Sequence, residues 1–138
     1  MTDTKEAFVA LMDATGLTYE IDKDGDALIG FTMDHRPGNR RQMVWVSGSP
    51  DTYGDHEDRD VCSYIAKVDE LPKDFDVLAK LLLYTANQKM GGIVIMHGRL
   101  TYRIDVAKYA GAEGLRAAIH FAADIADELE EAITGRDA

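Results

Sequence analysis

The side chains best suited to binding a metal ion are concentrated in one acidic segment. Six residues there carry carboxylate or imidazole groups: Asp51, Asp55, His56, Glu57, Asp58 and Asp60. Hard cations such as Ca²⁺ are bound by several oxygen atoms at once, so weak cation binding is the functional interpretation of this segment. The six residues follow no fixed ligand spacing, and we favour a solvated surface loop over Gly48–Asp60.

A second acidic stretch, at residues 22–26, has part of the composition of a calcium-binding loop. The EF-hand needs a glycine at its sixth position and a bidentate glutamate at its twelfth. Counted from Asp22, glycine is the fourth residue and Met33 is the twelfth. The Asp24-Gly25 pair is instead typical of a tight hairpin turn, and we predict no metal site in the chain.

The nucleophilic and basic residues show no catalytic pattern. The four histidines, His35, His56, His97 and His120, have no second histidine or cysteine at zinc-ligand spacing. Cys62 has no histidine near it in sequence, and we expect it to be a buried, unreactive thiol. No G-x-S-x-G motif is present, and the glycine pair at 91–92 precedes a predicted strand rather than opening a helix. We therefore predict no catalytic residue, no cofactor and no enzymatic activity.

Three arginines are the one basic cluster that could bind an anion. Arg36, Arg40 and Arg41 lie close together in a loop marked by Pro37-Gly38. Guanidinium groups bind carboxylates and phosphates through paired hydrogen bonds. A solvated loop is the simpler interpretation, and an anionic ligand is the alternative. That alternative leads to a second hypothesis, a small-ligand sensor with a pocket between the central helix and the sheet.

Length, charge and composition limit the class of protein. The chain has 138 residues, which fits a single domain over residues 1–138. Its formal net charge is −10 at pH 7, and nucleic-acid binding needs clustered cations, so we expect no nucleic-acid partner. We find no apolar run near the ~20 residues that cross a membrane and no leader-like segment. With one cysteine and therefore no internal disulfide, we expect a cytoplasmic protein without a membrane partner.

The strongest secondary-structure signals lie in the second half of the chain. Apolar residues from Leu115 to Ile133 recur at three- and four-residue spacing, which predicts a long amphipathic helix. Its many alanines favour close packing on a sheet. An earlier helix, capped by Asp74, is apolar on nearly all sides, so we expect it to be covered on more than one side, within the chain or between two subunits. Between the helices, His97-Gly98 joins two strand-like runs.

The first half of the chain predicts a helix followed by strands. The helix covers residues 3–14, and the strands lie near residues 17–21, 27–34, 43–47 and 61–68. Strands grouped between helices indicate an α+β fold, an antiparallel sheet flanked by helices. The predicted order is α-β-β-β(-β)-α-β-β-α.

This order, together with three local features, carries a resemblance to a known family. The features are the segment LLLYTANQKMGGIVI, which contains Asn87, the Leu71-Pro72 lead-in, and a final helix ending in ELEEAI. In these respects the chain resembles the YbjN family of bacterial sensory-transduction regulators, which is similar in fold to the class I type III secretion chaperones. The resemblance covers residues 17–133 and implies a chaperone-like, often dimeric binding module of possible regulatory role. The acidic segment at 48–60 departs from the family pattern.

The predicted sheet has more apolar residues than one buried face requires. Neighbouring residues such as Val44 and Trp45 are both apolar, although they point to opposite faces. Surplus apolar surface marks an interface, so our preferred hypothesis is a non-enzymatic module that holds an apolar segment of a protein partner, with a homodimer as a further option. Complete coverage of both faces by the helices and the long loop is the alternative. We expect Phe31, Met43 and Trp45 to be the partner-binding anchors.

Overall fold

The computed structural model describes residues 4–33, 41–71 and 73–134. These residues form three α-helices and one seven-stranded antiparallel sheet, so the predicted α+β class is confirmed. The helices are α1 (Thr4–Ala14), α2 (Phe75–Ala86) and α3 (Gly111–Thr134). The strands are β1 (Glu20–Ile21), β2 (Ala27–Thr32), β3 (Arg41–Val46), β4 (Asp51–Tyr53), β5 (His56–Lys67), β6 (Gly92–Met96) and β7 (Arg99–Ala107).

Local sequence determines several of the boundaries. The Asp74 carboxylate accepts a hydrogen bond from the Asp76 N–H at 2.9 Å, which caps α2 as predicted. His97 and Gly98 both have positive φ, 55° and 72°, as a two-residue type I′ hairpin turn requires. The predicted end of α3 at Gly135 lies outside the described residues.

The strand order in the sheet is β1-β2-β3-β5-β7-β6, with β4 paired only to β5. Register assigns each side chain to one of two faces. The helix face carries the core residues Ala27, Ile29, Val44, Val46, Val61, Tyr102 and Ile104. The opposite face, which we call the open face, carries Leu28, Met43, Trp45, Cys62, Tyr64, Val94 and Arg103. No described helix packs on the open face.

Helix α3 lies directly against the centre of the sheet. Ala118, Ala122 and Ala126 are at most 2% exposed and face strands β3, β5 and β7. A methyl side chain lets the helix backbone approach the strands closely, which is the packing that the alanine-rich stripe predicts. The larger Leu115 and Ile119 belong to the same buried stripe and fill the space beside the alanines.

The predicted loop at Gly48–Asp60 is wrong. Residues 51–53 form β4, and β5 already begins at His56, so the segment is mainly a hairpin that extends beyond the core. Five strands therefore precede α2, more than the three or four predicted. The three β4 residues are all exposed, so backbone hydrogen bonds rather than apolar contacts form this part of the sheet, and no hydrophobic pattern could indicate it.

Candidate protein interface on helix α2

Helix α2 has two apolar stripes on opposite sides of its axis. Val77, Leu81 and Tyr84 lie on one side and pack into the core. At 100° per residue, Phe75, Leu82 and Leu83 fall on the opposite side, away from the protein. The helix is therefore apolar on nearly all sides, as the sequence indicated, but within the described chain only one side is covered.

The outward stripe of α2 brings together four of the exposed large apolar side chains among the described residues. Phe75 is 82% exposed, Leu82 69%, Leu83 64% and Leu78 42%. Ile95 of the neighbouring strand β6 points to the helix face of the sheet, the face on which α2 lies, and is 64% exposed. We call these five residues the α2 surface. Large apolar side chains clustered in contact with water are characteristic of protein-binding sites.

Two contacts hold α2 against the β6 edge of the sheet. The Ile93 N–H donates to Oγ1 of Thr85, on the last turn of α2, at 3.2 Å. The Tyr102 hydroxyl donates to the Met90 carbonyl at 2.6 Å and so fixes the segment that joins α2 to β6. Burial, with a smaller contribution from the nearby Tyr84, raises the pKa of Tyr102 to about 12. The hydroxyl therefore stays protonated and donates to the segment that joins α2 to β6.

Strand β6 is the outer strand of the sheet beside this surface. In a two-residue hairpin the residues that flank the turn, Met96 and Arg99, form a hydrogen-bonded pair. Alternation then directs the polar backbone groups of Ile93 and Ile95 outward. Thr85 Oγ1 accepts the hydrogen bond of the Ile93 N–H, whereas among the described residues no hydrogen-bond partner is seen for the N–H and C=O groups of Ile95. The α2 surface therefore includes two backbone groups that could bond to a partner chain.

An apolar depression of about 310 Å³ lies next to the α2 surface, between α2 and the end of α3. Val77, Leu81, Tyr84, Leu129 and Ile133 line it. The sensor hypothesis expects a pocket between the central helix and the sheet, with the arginine loop as its lid. Arg41 begins β3 and lines a depression with Leu28 and Met43 on the opposite face of the sheet, whereas Arg36 and Arg40 lie outside the described residues. The described arginine and this pocket are therefore not parts of one site.

Comparison of the sequence with protein-family models and with curated proteins found no match. Among the described helices, none combines the length and apolar character needed to cross a membrane. A function has therefore to be inferred from the geometry of the chain's own residues.

The three predicted anchor residues do not share one surface. Met43 and Trp45 lie on the open face, where Met43 is 45% exposed and Trp45 is half-buried. Phe31 lies on the helix face, and its ring centroid is 5.0 Å from that of His120 on α3. The exposed apolar residues of α2 were not among the predicted anchors, because sequence periodicity shows that a helix has two apolar sides but not which side stays uncovered.

Long side chains shield the centre of the open face. Trp45 lies 6.4 Å, between ring centroids, from both Tyr64 and His97, and the Arg99 guanidinium lies 4.8 Å above the Tyr64 ring. Beneath them Cys62 is fully buried, and burial, with a smaller contribution from the Asp60 charge, raises its thiol pKa to about 12. Cys62 is therefore buried, as predicted, and its thiol, protonated at neutral pH, is a poor nucleophile.

The acidic residues meet at one end of the open face. Asp51, Asp58, Asp60 and Asp105 line a shallow depression there with His56 and Arg103. Within residues 4–33, 41–71 and 73–134, no three histidine, cysteine or carboxylate side chains are grouped to hold a metal ion. The notable contact is between Asp60 and Asp105, which are cross-strand partners. Desolvation, followed by the hydrogen bond to Asp105 and its charge, raises the pKa of Asp60 to about 6.

This carboxyl pair predicts a pH-dependent stability. The unfolded pKa of aspartate is about 3.9, so the folded state binds the Asp60 proton more tightly. The resulting stabilisation is complete below about pH 4 and is lost as the pH rises through about 6. Because Asp60 is only half-buried, solvent screening limits the effect to about 1 kcal/mol. We expect Asp60→Asn to raise the free energy of unfolding by that amount at pH 7 and to flatten its pH dependence between 4 and 6.5.

Urea unfolding across this pH range measures the effect. Asp124→Asn is the control, because it removes the same charge from the exposed side of α3. Equal stabilisation by both substitutions at pH 7 would show that the net charge of the protein, and not the Asp60–Asp105 contact, is responsible.

Proposed function

We propose that this protein is a non-enzymatic binding module, cytoplasmic and of the chaperone-like fold that the YbjN resemblance implies. Its α2 surface holds an apolar helical segment of a protein partner. The observation that carries this proposal is the outward stripe of α2, where three large apolar side chains are each more than 60% exposed on a helix that is firmly anchored on its other side. An amphipathic helix buries its apolar stripe against such a surface by packing side chains at i, i+3, i+4 and i+7.

The composition of α2 supports this use. Only Asp76 and Lys80 interrupt the apolar surface of the helix with charge, and both lie at the margin of the outward stripe, beyond Leu83. A helix without a binding role on that side would carry polar residues there. Complete burial of Leu82 and Leu83 would contribute about 1.5–3 kcal/mol for each side chain, enough for a specific complex if the partner covers both.

The test of this function is a pair of matched double variants. Leu82→Gln with Leu83→Gln removes the centre of the stripe, whereas Asp76→Gln with Lys80→Gln introduces the same two side chains at its margin. We expect the leucine variant to bind its partner about 100-fold more weakly. Its free energy of unfolding should change by only about 0.5 kcal/mol, because the leucines are exposed. The control should bind normally.

The partner is identified first, by a photo-crosslinking amino acid placed at position 83 and, as the control, at position 80. A protein captured only from position 83 is purified, and its affinity for the wild-type chain and for both double variants is measured by calorimetry. Equal affinities for the leucine and control variants would overturn the proposal. Capture of a second copy of this chain from position 83 would assign the surface to self-association instead.

A further inference from the structure

The open face of the sheet carries opposite charges at its two ends. One end, the acidic end, contains the cross-strand pair Asp60 and Asp105 together with Asp51 and Asp58. The other, the basic end, contains the cross-strand pair Lys67 and Arg99 together with Arg41. Glu70 lies just beyond the basic end, where it accepts a hydrogen bond from the Lys67 N–H. The two charged pairs occupy the same two strands, β5 and β7.

The region between the two ends is mainly apolar. Its exposed or half-buried apolar residues are Leu28, Met43, Trp45, Val94 and Met96. Arg103 is the one charged side chain in the central rows of β5 and β7, and its Nε lies 3.7 Å from a carboxylate oxygen of Asp105. Glu20 lies at the margin, on β1. An apolar centre between charged ends is the usual organisation of a protein-binding surface.

The charged pairs are placed symmetrically. Ser63 and Tyr102 are cross-strand partners in the middle of β5 and β7. On β7, Asp105 and Arg99 are each three residues from Tyr102. On β5, Asp60 is three residues before Ser63 and Lys67 four after it, and the register shift between Tyr64 and Ala66 accounts for the additional residue. Each pair is therefore roughly 10 Å from the Ser63–Tyr102 pair.

This symmetry makes the surface complementary to itself. Consider two copies whose open faces are stacked, with a two-fold axis in the plane between the sheets. The axis runs perpendicular to the strands and passes over Ser63 and Tyr102. Rotation about it reverses the strand direction. It therefore lays β5 on β5 and β7 on β7, with the acidic end of each copy over the basic end of the other. Such an interface is isologous, so the contact between an acidic end and a basic end occurs twice. Aligned packing of two sheets is a common arrangement of antiparallel proteins.

We propose that the open face binds the open face of a second copy of this chain, with Asp60 and Asp105 of each copy facing Lys67 and Arg99 of the other. The surface involved is distinct from the α2 surface, so the proposal does not depend on the proposed function.

Charge and area both favour a second copy as the occupant. The chain carries a net charge of −10, so two copies repel one another in most orientations, and the two-fold arrangement is one in which unlike charges meet. Cations from the second copy would also relieve the contact between the Asp60 and Asp105 carboxyl groups. The open face spans five strands, β2, β3, β5, β7 and β6, each about 20 Å long and about 4.8 Å from the next, which gives a flat area of roughly 500 Å². Because side chains protrude from this plane, the accessible surface is larger than the flat area. It approaches the ~800 Å² that each partner contributes to a stable interface.

A charge-swap series with the full chain tests this arrangement by sedimentation velocity. Arg99→Glu places acid against acid, and Asp105→Arg places base against base. We expect each single variant to weaken self-association at least roughly tenfold. The double variant carries both changes and restores the complementarity, so its association constant should return close to the wild-type value. The wild-type dimer should also dissociate as the salt concentration rises.

Three further measurements make the outcome decisive. Asp124→Arg, which changes an exposed charge on α3, should leave association unchanged. Lys67→Glu with Asp60→Lys is an equivalent swap on β5, to be used if a β7 variant fails to fold as judged by circular dichroism. The α2 double variant Leu82→Gln with Leu83→Gln should remain dimeric. A wild-type chain that is monomeric at millimolar concentration, a double swap that fails to restore association, or a dimer lost only in the α2 variant would overturn the proposal.

Discussion

Replacement of Gly91 by alanine is expected to lower the free energy of unfolding by about 3 kcal/mol or more. A Cβ at this position would lie 2.7 Å from the Arg103 carbonyl oxygen and 2.8 Å from Cε2 of the Tyr102 ring. Both groups belong to the central part of β7 and cannot move without disturbing the sheet. Gly91 also has φ of +79°, and a left-handed conformation costs a residue with a Cβ roughly 1–2 kcal/mol. Overpacking adds about 1–3 kcal/mol.

Gly98→Ala is the matched control for this substitution. Gly98 has a similar φ of +72°, but no atom lies within 4 Å of the position its Cβ would occupy. The Gly98→Ala variant should therefore lose only the free energy of unfolding that the left-handed backbone costs, about 1 kcal/mol. Urea unfolding of both variants measures the difference. Equal losses would show that the segment before β6 can move away from β7, and that α2 is held less firmly than the structure indicates.

Replacement of Ala122 by leucine is expected to cause a comparable loss, about 2–3 kcal/mol or more. Ala122 is fully buried where α3 crosses the sheet, and three additional carbon atoms cannot enter without separating the helix from the strands. Ala117→Leu is the control, because Ala117 is exposed on α3. Its effect should stay within about 0.5 kcal/mol. Thermal unfolding measures both, and an equal shift in Tm for the two variants would contradict close packing of α3 on the sheet.

The elements that the sequence predicted well are those whose pattern alone determines their structure. Helix α3 buries one continuous stripe, so its periodicity identifies both the helix and its inner face. The His97-Gly98 turn and the Asp74 cap depend on single residue types with a specific backbone preference. Burial of Cys62 followed from its position in an apolar strand. For these features no long-range information was needed.

The remaining features depend on contacts between distant parts of the chain. Gln42 is polar, yet it is only 4% exposed, because its amide donates to Ser63 Oγ and to the Tyr64 carbonyl, both at 2.8 Å, where β3 and β5 separate. Which side of α2 stays uncovered depends on where β6 and α3 lie. The opposite charges on the open face depend on a register that includes an irregularity after Tyr64. Linear spacing contains none of this information, so the exposed surface of α2 could not be predicted from the sequence.

The position of Trp45 has a spectroscopic consequence. It is the one tryptophan in the chain, and it lies on the open face beside Tyr64 and His97, across the sheet from the three helices. Its emission is therefore an intrinsic optical probe of that side of the molecule. Desolvation of the indole when another sheet covers it will shift the emission to shorter wavelength. A ligand docking on α2 will leave the spectrum unchanged, so the two surfaces can be monitored separately without an added label.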